Sequence, residues 1–165
     1  MPFRYVKFSI RVIALLCIFS IAISFSSCEE KRGAHALMNE FAQSYGAGGV
    51  LYSTEIEEGE YGYIDKNFFY TLYGEGEDSV SDYSVLLLSG ISSLGECAVF
   101  ICYTDYDAFV VSDMCRRRID LLRSFSGSPD TSSATDAVVK RYGRCVVMCA
   151  MADNSRAISL WDKIL

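Results

Sequence analysis

Glu96-Cys97-Ala98-Val99-Phe100-Ile101-Cys102-Tyr103 is an apolar run opened by one acid, and at Thr104-Asp105 it gives way to a long amphipathic segment. The run reads as a buried strand and the segment as a helix capped by Thr104 or Asp105. The inward stripe of that helix is Ala108, Val111, Cys115, Ile119, Leu122 and Phe125, leaving Arg116, Arg117, Asp120 and Arg123 toward solvent. Gly143-Arg144-Cys145-Val146-Val147, with Asp153 after it, echoes Gly95-Glu96-Cys97-Ala98-Val99 followed by Asp105, which suggests one unit built twice.

Working outward, Tyr83 to Ser89 reads as a strand and Gly90 to Gly95 as its turn, with Glu96 to Tyr103 the antiparallel return. Both runs are too apolar throughout to be exposed edges. Ala137 to Lys140 and Arg144 to Met151 form a second hairpin, after which Asp153 or Asn154 caps a terminal helix burying Ala157, Ile158, Trp161, Ile164 and Leu165. Between the units, Phe125 to Ser133 is the clearest linker. Upstream, Leu37, Met38, Phe41 and Tyr45 fall at helical spacing in Ala34 to Tyr45, and Gly46 stops that helix. Asp65 caps a second short helix, Lys66 to Tyr73, closed by Gly74. The expected fold is α+β: an antiparallel sheet of four strands, five if Val50 to Thr54 joins, with helices packed on one face and a suggested duplicated strand-strand-helix unit.

Export is the second reading. Arg4, Lys7 and Arg11 precede an apolar run, Val12 to Phe25, interrupted only by Ser20 and Ser24. That is the pattern of a secretory signal. Its 14 residues would span about 21 Å as a helix against a hydrocarbon core of about 30 Å, so a spanning segment is the weaker reading, an uncleaved tilted anchor the alternative. Phe25-Ser26-Ser27-Cys28 followed by Glu29-Glu30-Lys31-Arg32-Gly33 resembles a bacterial lipobox and tether, with Phe25 and Ser27 where Leu and Gly or Ala are usual. The expected organisation is a lipoprotein signal peptide over 1–27, lipid attachment at Cys28, a tether over 28–33 and a single domain over 34–165 on the extracytoplasmic face of the cell membrane.

All 21 acidic residues lie beyond Cys28, whereas three of the 15 basic ones precede it, so the chain from Cys28 onward carries −9. That balance argues against nucleic acid as a partner. Nine acids against Lys66 alone lie between Tyr45 and Asp82. Within this stretch Glu55, Glu57, Glu58 and Glu60 are interleaved with Tyr52, Tyr61, Tyr63, Tyr70 and Tyr73, offering a rim for a cationic peptide, a protein, an amine or calcium, although no Asp-x-Asp-x-Asp-Gly loop marks a dedicated calcium site. The candidate binding surface is Tyr52, Glu57, Glu58, Glu60, Tyr61 and Tyr63; a solvated acidic loop that only keeps the protein soluble is the competing reading.

Catalytic and metal chemistry are poorly served. His35, the sole histidine, lies seven residues past Cys28 and is expected on the tether. Alternation sends Cys97 and Cys102 to opposite faces, and Cys145 and Cys149 are too far apart along one strand to bridge. Both pairs lie in strand-like runs and not across the tight knuckle of a structural zinc site, so no metal or cofactor is implied. The five cysteines after Cys28 read as buried hydrophobes, with a cross-strand disulfide between the two units left open. Arg118 is expected to pair with an acid such as Glu96 at the sheet edge.

Leu72-Tyr73-Gly74, Glu96 opening the strand, Arg118 in a helix ending at Phe125, and Gly143 before an apolar strand together resemble the domain-of-unknown-function family 4358. The resemblance covers roughly Leu37 to Trp161 and departs after Phe125, where Pro129 stands without the family's tyrosine. It implies an exported, lipoprotein-like protein of Gram-positive anaerobes and supplies no catalytic residue. Three functions stay open on the residues: a lipid-anchored binding module of the cell envelope, an envelope enzyme using carboxylates, and a structural accessory of an envelope assembly.

Overall fold

The computed structural model describes residues 32–88, 95–124 and 132–165. The signal segment, Cys28, most of the tether, the turn after Leu88 and the linker from Phe125 lie outside the described residues. In chain order the elements are α1 (Ala34–Tyr45), β1 (Gly49–Ser53), α2 (Lys66–Tyr73), a 3-10 turn (Glu77–Ser79), β2 (Val80–Leu88), β3 (Glu96–Cys102), α3 (Asp105–Ser124), the one-turn α4 (Ser132–Thr135), β4 (Val138–Tyr142), β5 (Cys145–Ala150) and α5 (Asn154–Ile164).

The five strands form one antiparallel sheet in the order β1-β2-β3-β5-β4, so the run Glu96 to Cys102 is the central strand. Glu96 therefore sits at one end of the middle strand and not at a sheet edge. The hairpin β4-β5 turns through Gly143-Arg144 between the paired residues Tyr142 and Cys145. Gly143 has φ 58° and Arg144 has no positive φ, the pattern of a two-residue turn that needs glycine at its first position.

Helices cover both faces of the sheet, which corrects the one-face expectation. Period-two alternation along β3 sends Ala98, Phe100 and Cys102 to one side and Cys97, Val99 and Ile101 to the other. On the first side these residues pack with Tyr83, Val85, Val146 and Met148 against Phe69 and Tyr73 of α2 and Ala108, Val111, Met114, Cys115 and Ile119 of α3. On the second, Leu86, Val147 and Cys149 join Cys97 and Val99 under Leu37, Met38 and Phe41 of α1 and Ala157, Trp161 and Ile164 of α5. A strand apolar at every position exposes hydrophobic surface on both faces unless both are covered, and each buried large side chain contributes about 1.5–3 kcal/mol. The echo between the two units holds through the hairpins and fails at the helices: α3 crosses one face and α5 the other.

The four longer helices each have an acceptor at their start. Asp65 accepts from the Phe68 amide at 2.6 Å, Thr104 Oγ1 from the Asp107 amide at 3.1 Å, and Asp153 from the Arg156 amide at 2.9 Å. The N-cap of α1 is Gly33, which has no side chain to offer; Asp82 of β2 accepts the Ala34 amide instead at 2.6 Å. His35 is the second residue of α1, half-buried, and so belongs to the folded domain and not to a tether.

Candidate functional site

The acidic tyrosine stretch leaves the sheet at Ser53 and returns beside it. The Ser53 amide donates to the Gly62 carbonyl at 3.1 Å, and Ser53 and Tyr63 form a parallel bridge. Between these points the backbone makes three successive turns, with amides of Ile56, Glu60 and Tyr63 donating to carbonyls of Ser53, Glu57 and Glu60. Gly62 has φ 95°, and a Cβ there would lie 2.2 Å from the Leu51 carbonyl oxygen. Only glycine lets the chain close at this place.

This closed loop puts Glu57, Glu58 and Glu60 in solvent beside Tyr61, which is 82% exposed, while Tyr63 is 37% exposed. Tyr52 is different: its ring is half-buried and stacks on Phe68 with centroids 4.5 Å apart, so it supports the loop's neighbourhood from below. Of the two tyrosines on α2, Tyr70 is exposed and Tyr73 is buried. A shallow groove of about 360 Å³ runs along Tyr63, Asp65, Asn67, Phe68, Thr71 and Leu72, next to the loop. Among the described residues no Lys or Arg pairs with Glu57, Glu58 or Glu60; the ion pairs lie on α1, α3, β4 and α5. The three exposed carboxylates project their charge into solvent.

The buried carboxylate of the molecule has another role. Glu96, 2% exposed, accepts the Tyr73 hydroxyl on Oε1 at 2.7 Å and Arg118 Nη2 and Nε on Oε2 at 2.7 and 3.0 Å. Both oxygens are engaged in holding Tyr73 and Arg118. Burial, and then the Glu96 charge, push the Tyr73 hydroxyl well above its ordinary range and hold it as a donor. The Glu96–Arg118 pairing follows from the sequence, since a charge opening a buried strand needs a countercharge. Tyr73 as third member was not foreseen; its only signal is its place on the inward side of the short α2.

The remaining reactive groups do not converge on a catalytic arrangement. Nδ1 of His35 is buried without a hydrogen-bond partner, so no carboxylate orients the ring. Cys97 and Cys102 lie on opposite faces, as alternation requires, and Cys145 and Cys149 share the α1/α5 face. Among the described residues no group of three or more His, Cys, Asp or Glu is placed to hold a metal ion, and no helix is long and apolar enough to cross a membrane. A further exposed aromatic group, Tyr103, Tyr106 and Phe109, stands at the start of α3. It was missed because these residues lie off the helix's inward stripe, although their spacing of three is visible in the chain.

Tyr73, Glu96 and Arg118, three of the residues behind the family resemblance, thus meet in one buried ion pair and its hydrogen bond. No family model, curated protein or solved structure matches the chain, so that resemblance rests on these short motifs alone.

Proposed function

We propose that the chain is a lipid-anchored extracytoplasmic binding module of the bacterial cell envelope, and that the loop from Thr54 to Tyr63 captures a cationic peptide or protein segment. The observation that carries this reading is the combination of the solvent-exposed Glu57, Glu58 and Glu60, with no basic partner among the described residues, and the exposed rings of Tyr61 and Tyr63 on a loop pinned at Ser53 and Gly62. Carboxylates supply long-range attraction, and aromatic faces hold an ammonium or guanidinium once it arrives. The adjoining groove along Phe68 and Leu72 offers apolar contact to the stems of lysine and arginine side chains. The lipobox-like Phe25-Ser26-Ser27-Cys28 supports the anchor, and the resemblance to family 4358 supports export.

Two experiments test the two halves. Fluorescence anisotropy with a labelled peptide alternating lysine and leucine should show binding that weakens with added salt. It should fall at least tenfold in the Glu57→Gln/Glu58→Gln/Glu60→Gln variant with unchanged circular dichroism; salt-independent binding, or equal binding by the variant, defeats the proposal. For the anchor, intact mass and membrane fractionation are compared between the native chain and Cys28→Ser expressed in a bacterial host. A diacylglycerol-bearing chain beginning at Cys28, lost in the variant, is the expected result; a full-length chain whose fractionation ignores Cys28 refutes it.

A further inference from the structure

Cys97 of β3 and Cys149 of β5 face each other directly in the sheet register, with their Sγ atoms 3.7 Å apart and both side chains fully buried. The type of pairing can be worked out from one hydrogen bond. The Cys102 amide donates to the Arg144 carbonyl at 2.9 Å, which makes Cys102 and Arg144 a hydrogen-bonded pair. Hydrogen-bonded and non-hydrogen-bonded pairs alternate along an antiparallel ladder, so five residues back Cys97 and Cys149 are a non-hydrogen-bonded pair. There the Cα atoms stand about 4.5 Å apart, inside the range a disulfide spans, whereas hydrogen-bonded pairs hold the side chains farther apart.

The other three described cysteines lack such a neighbour. Cys102 and Cys115 lie on the opposite face, and Cys145, on the same face as Cys97, is opposite Ile101. Closing the pair leaves those three as thiols, which accommodates the odd cysteine count. Trp161, the only tryptophan, is buried in the same cluster. The indole is the one neighbour that eases Cys97 toward its thiolate, against the raising effects of burial and of Cys149.

We propose that Cys97 and Cys149 are a redox-active cross-strand pair that closes to a disulfide by thiol–disulfide exchange, with Trp161 packed over it as a built-in reporter. The co-reactant is a small-molecule or protein disulfide. One cysteine thiolate attacks it, forming a mixed disulfide and releasing one thiolate; the second cysteine thiolate then attacks the protein sulfur of the mixed disulfide and releases the other. The two cysteines lose two protons and two electrons in all, and the incoming disulfide is reduced to two thiols. Since both sulfurs are fully buried, exchange takes place while α5 is undocked, either during folding or on its local opening. The disulfide fastens the two hairpins to each other across the centre of the sheet.

The test refolds the full chain from urea in glutathione buffers from fully reduced to fully oxidised, quenches with iodoacetamide under denaturing conditions, and reads intact mass, an unreduced peptide map and tryptophan fluorescence. Oxidation should remove two alkylatable thiols, join the peptides containing Cys97 and Cys149, quench Trp161 and preserve native circular dichroism, all reversed by reductant. Cys97→Ala and Cys149→Ala should each abolish the fluorescence change, and Cys102→Ala should retain it. The wild-type map stands even if a variant fails to fold. Persistence of both thiols under full oxidation, linkage of other cysteines, or a disulfide found only in misfolded chain overturns the proposal.

Discussion

Replacing Arg118 by alanine removes the countercharge from Glu96 and leaves a carboxylate that is 2% exposed with only the Tyr73 hydroxyl beside it. Stranding one member of a buried ion pair costs about 3–5 kcal/mol, against a total stability of about 5–15 kcal/mol for a domain of this size. The opposite deletion, Glu96→Gln, should cost less. The Arg118 side chain retains 12% exposure and a long flexible stem, so its guanidinium can turn toward water, whereas Glu96 is fixed at the start of the central strand. Tyr73→Phe removes one hydrogen bond to a charged acceptor, about 1.5–3 kcal/mol. Glu96→Gln combined with Arg118→Met removes both charges and should recover most of the loss, since an apolar replacement of a buried pair is often near neutral. Urea unfolding followed by circular dichroism, with the single variant Arg118→Met added to close the cycle, gives all six stabilities and the coupling. A loss below about 1 kcal/mol for Arg118→Ala, or strict additivity in the double variant, would refute the claim that the pair is desolvated and interdependent.

On the opposite face, Phe41 stacks on Trp161 with centroids 4.8 Å apart and planes 8° from parallel; Phe41→Ala should cost about 3–5 kcal/mol and erase the near-ultraviolet dichroism of Trp161. Asp153→Ala removes the α5 cap and should lower stability by about 0.5–2 kcal/mol, seen as a reduced melting temperature, while Asp153→Asn should lose much less. Alkaline pH should destabilise the fold, because burial pushes the Cys102 thiol up to about 11 and the Cys145 thiol up to about 12 from an ordinary value of 9.0. The unfolded chain then sheds protons that the folded chain keeps, so these thiols leave stability unchanged below pH 9 and subtract from it as pH rises toward 11 and 12. Urea midpoints measured with both cysteines replaced by alanine should show a shallower decline; an identical decline would assign the effect to other groups.

Most elements are legible along the chain because their signals are local. Asp65, Thr104 and Asp153 announce helix starts, Gly46 ends α1, and the apolar runs around Val85 and Val99 can only be interior strands. Which face each helix takes is not local. The inward stripes of α1 and α3 look alike as amphipathic patterns, and the three-residue connection Met151–Asp153 against the two-residue Tyr103–Thr104 gives no rule for sending α5 to the side opposite α3. The both-sided burial of β3 was present in its unbroken apolar composition, but helices must be assigned to two faces before it has that meaning. Glu96 and Arg118 could be matched from charge and burial alone. Tyr73 could not, since it carries no charge to mark it as the partner of a buried carboxylate. The Cys97–Cys149 opposition likewise requires the order in which β5 docks beside β3.

The pinch at Ser53 and Gly62 has an evolutionary and engineering meaning. A segment whose two ends already touch can be exchanged or lengthened with little entropic penalty, each doubling of loop length adding only about 0.6 kcal/mol. The sheet beneath feels the two anchor residues, one of which has to be glycine, and Thr54, whose hydroxyl donates to Asp82 and whose amide donates to the Tyr83 carbonyl of β2. The loop is thus a cassette: its recognition chemistry can diversify between related chains, or be replaced by a grafted epitope, while β1, β2 and the core under them keep the same sequence. A library randomised from Glu55 to Tyr61 with Ser53, Thr54 and Gly62 held constant is the natural way to use it.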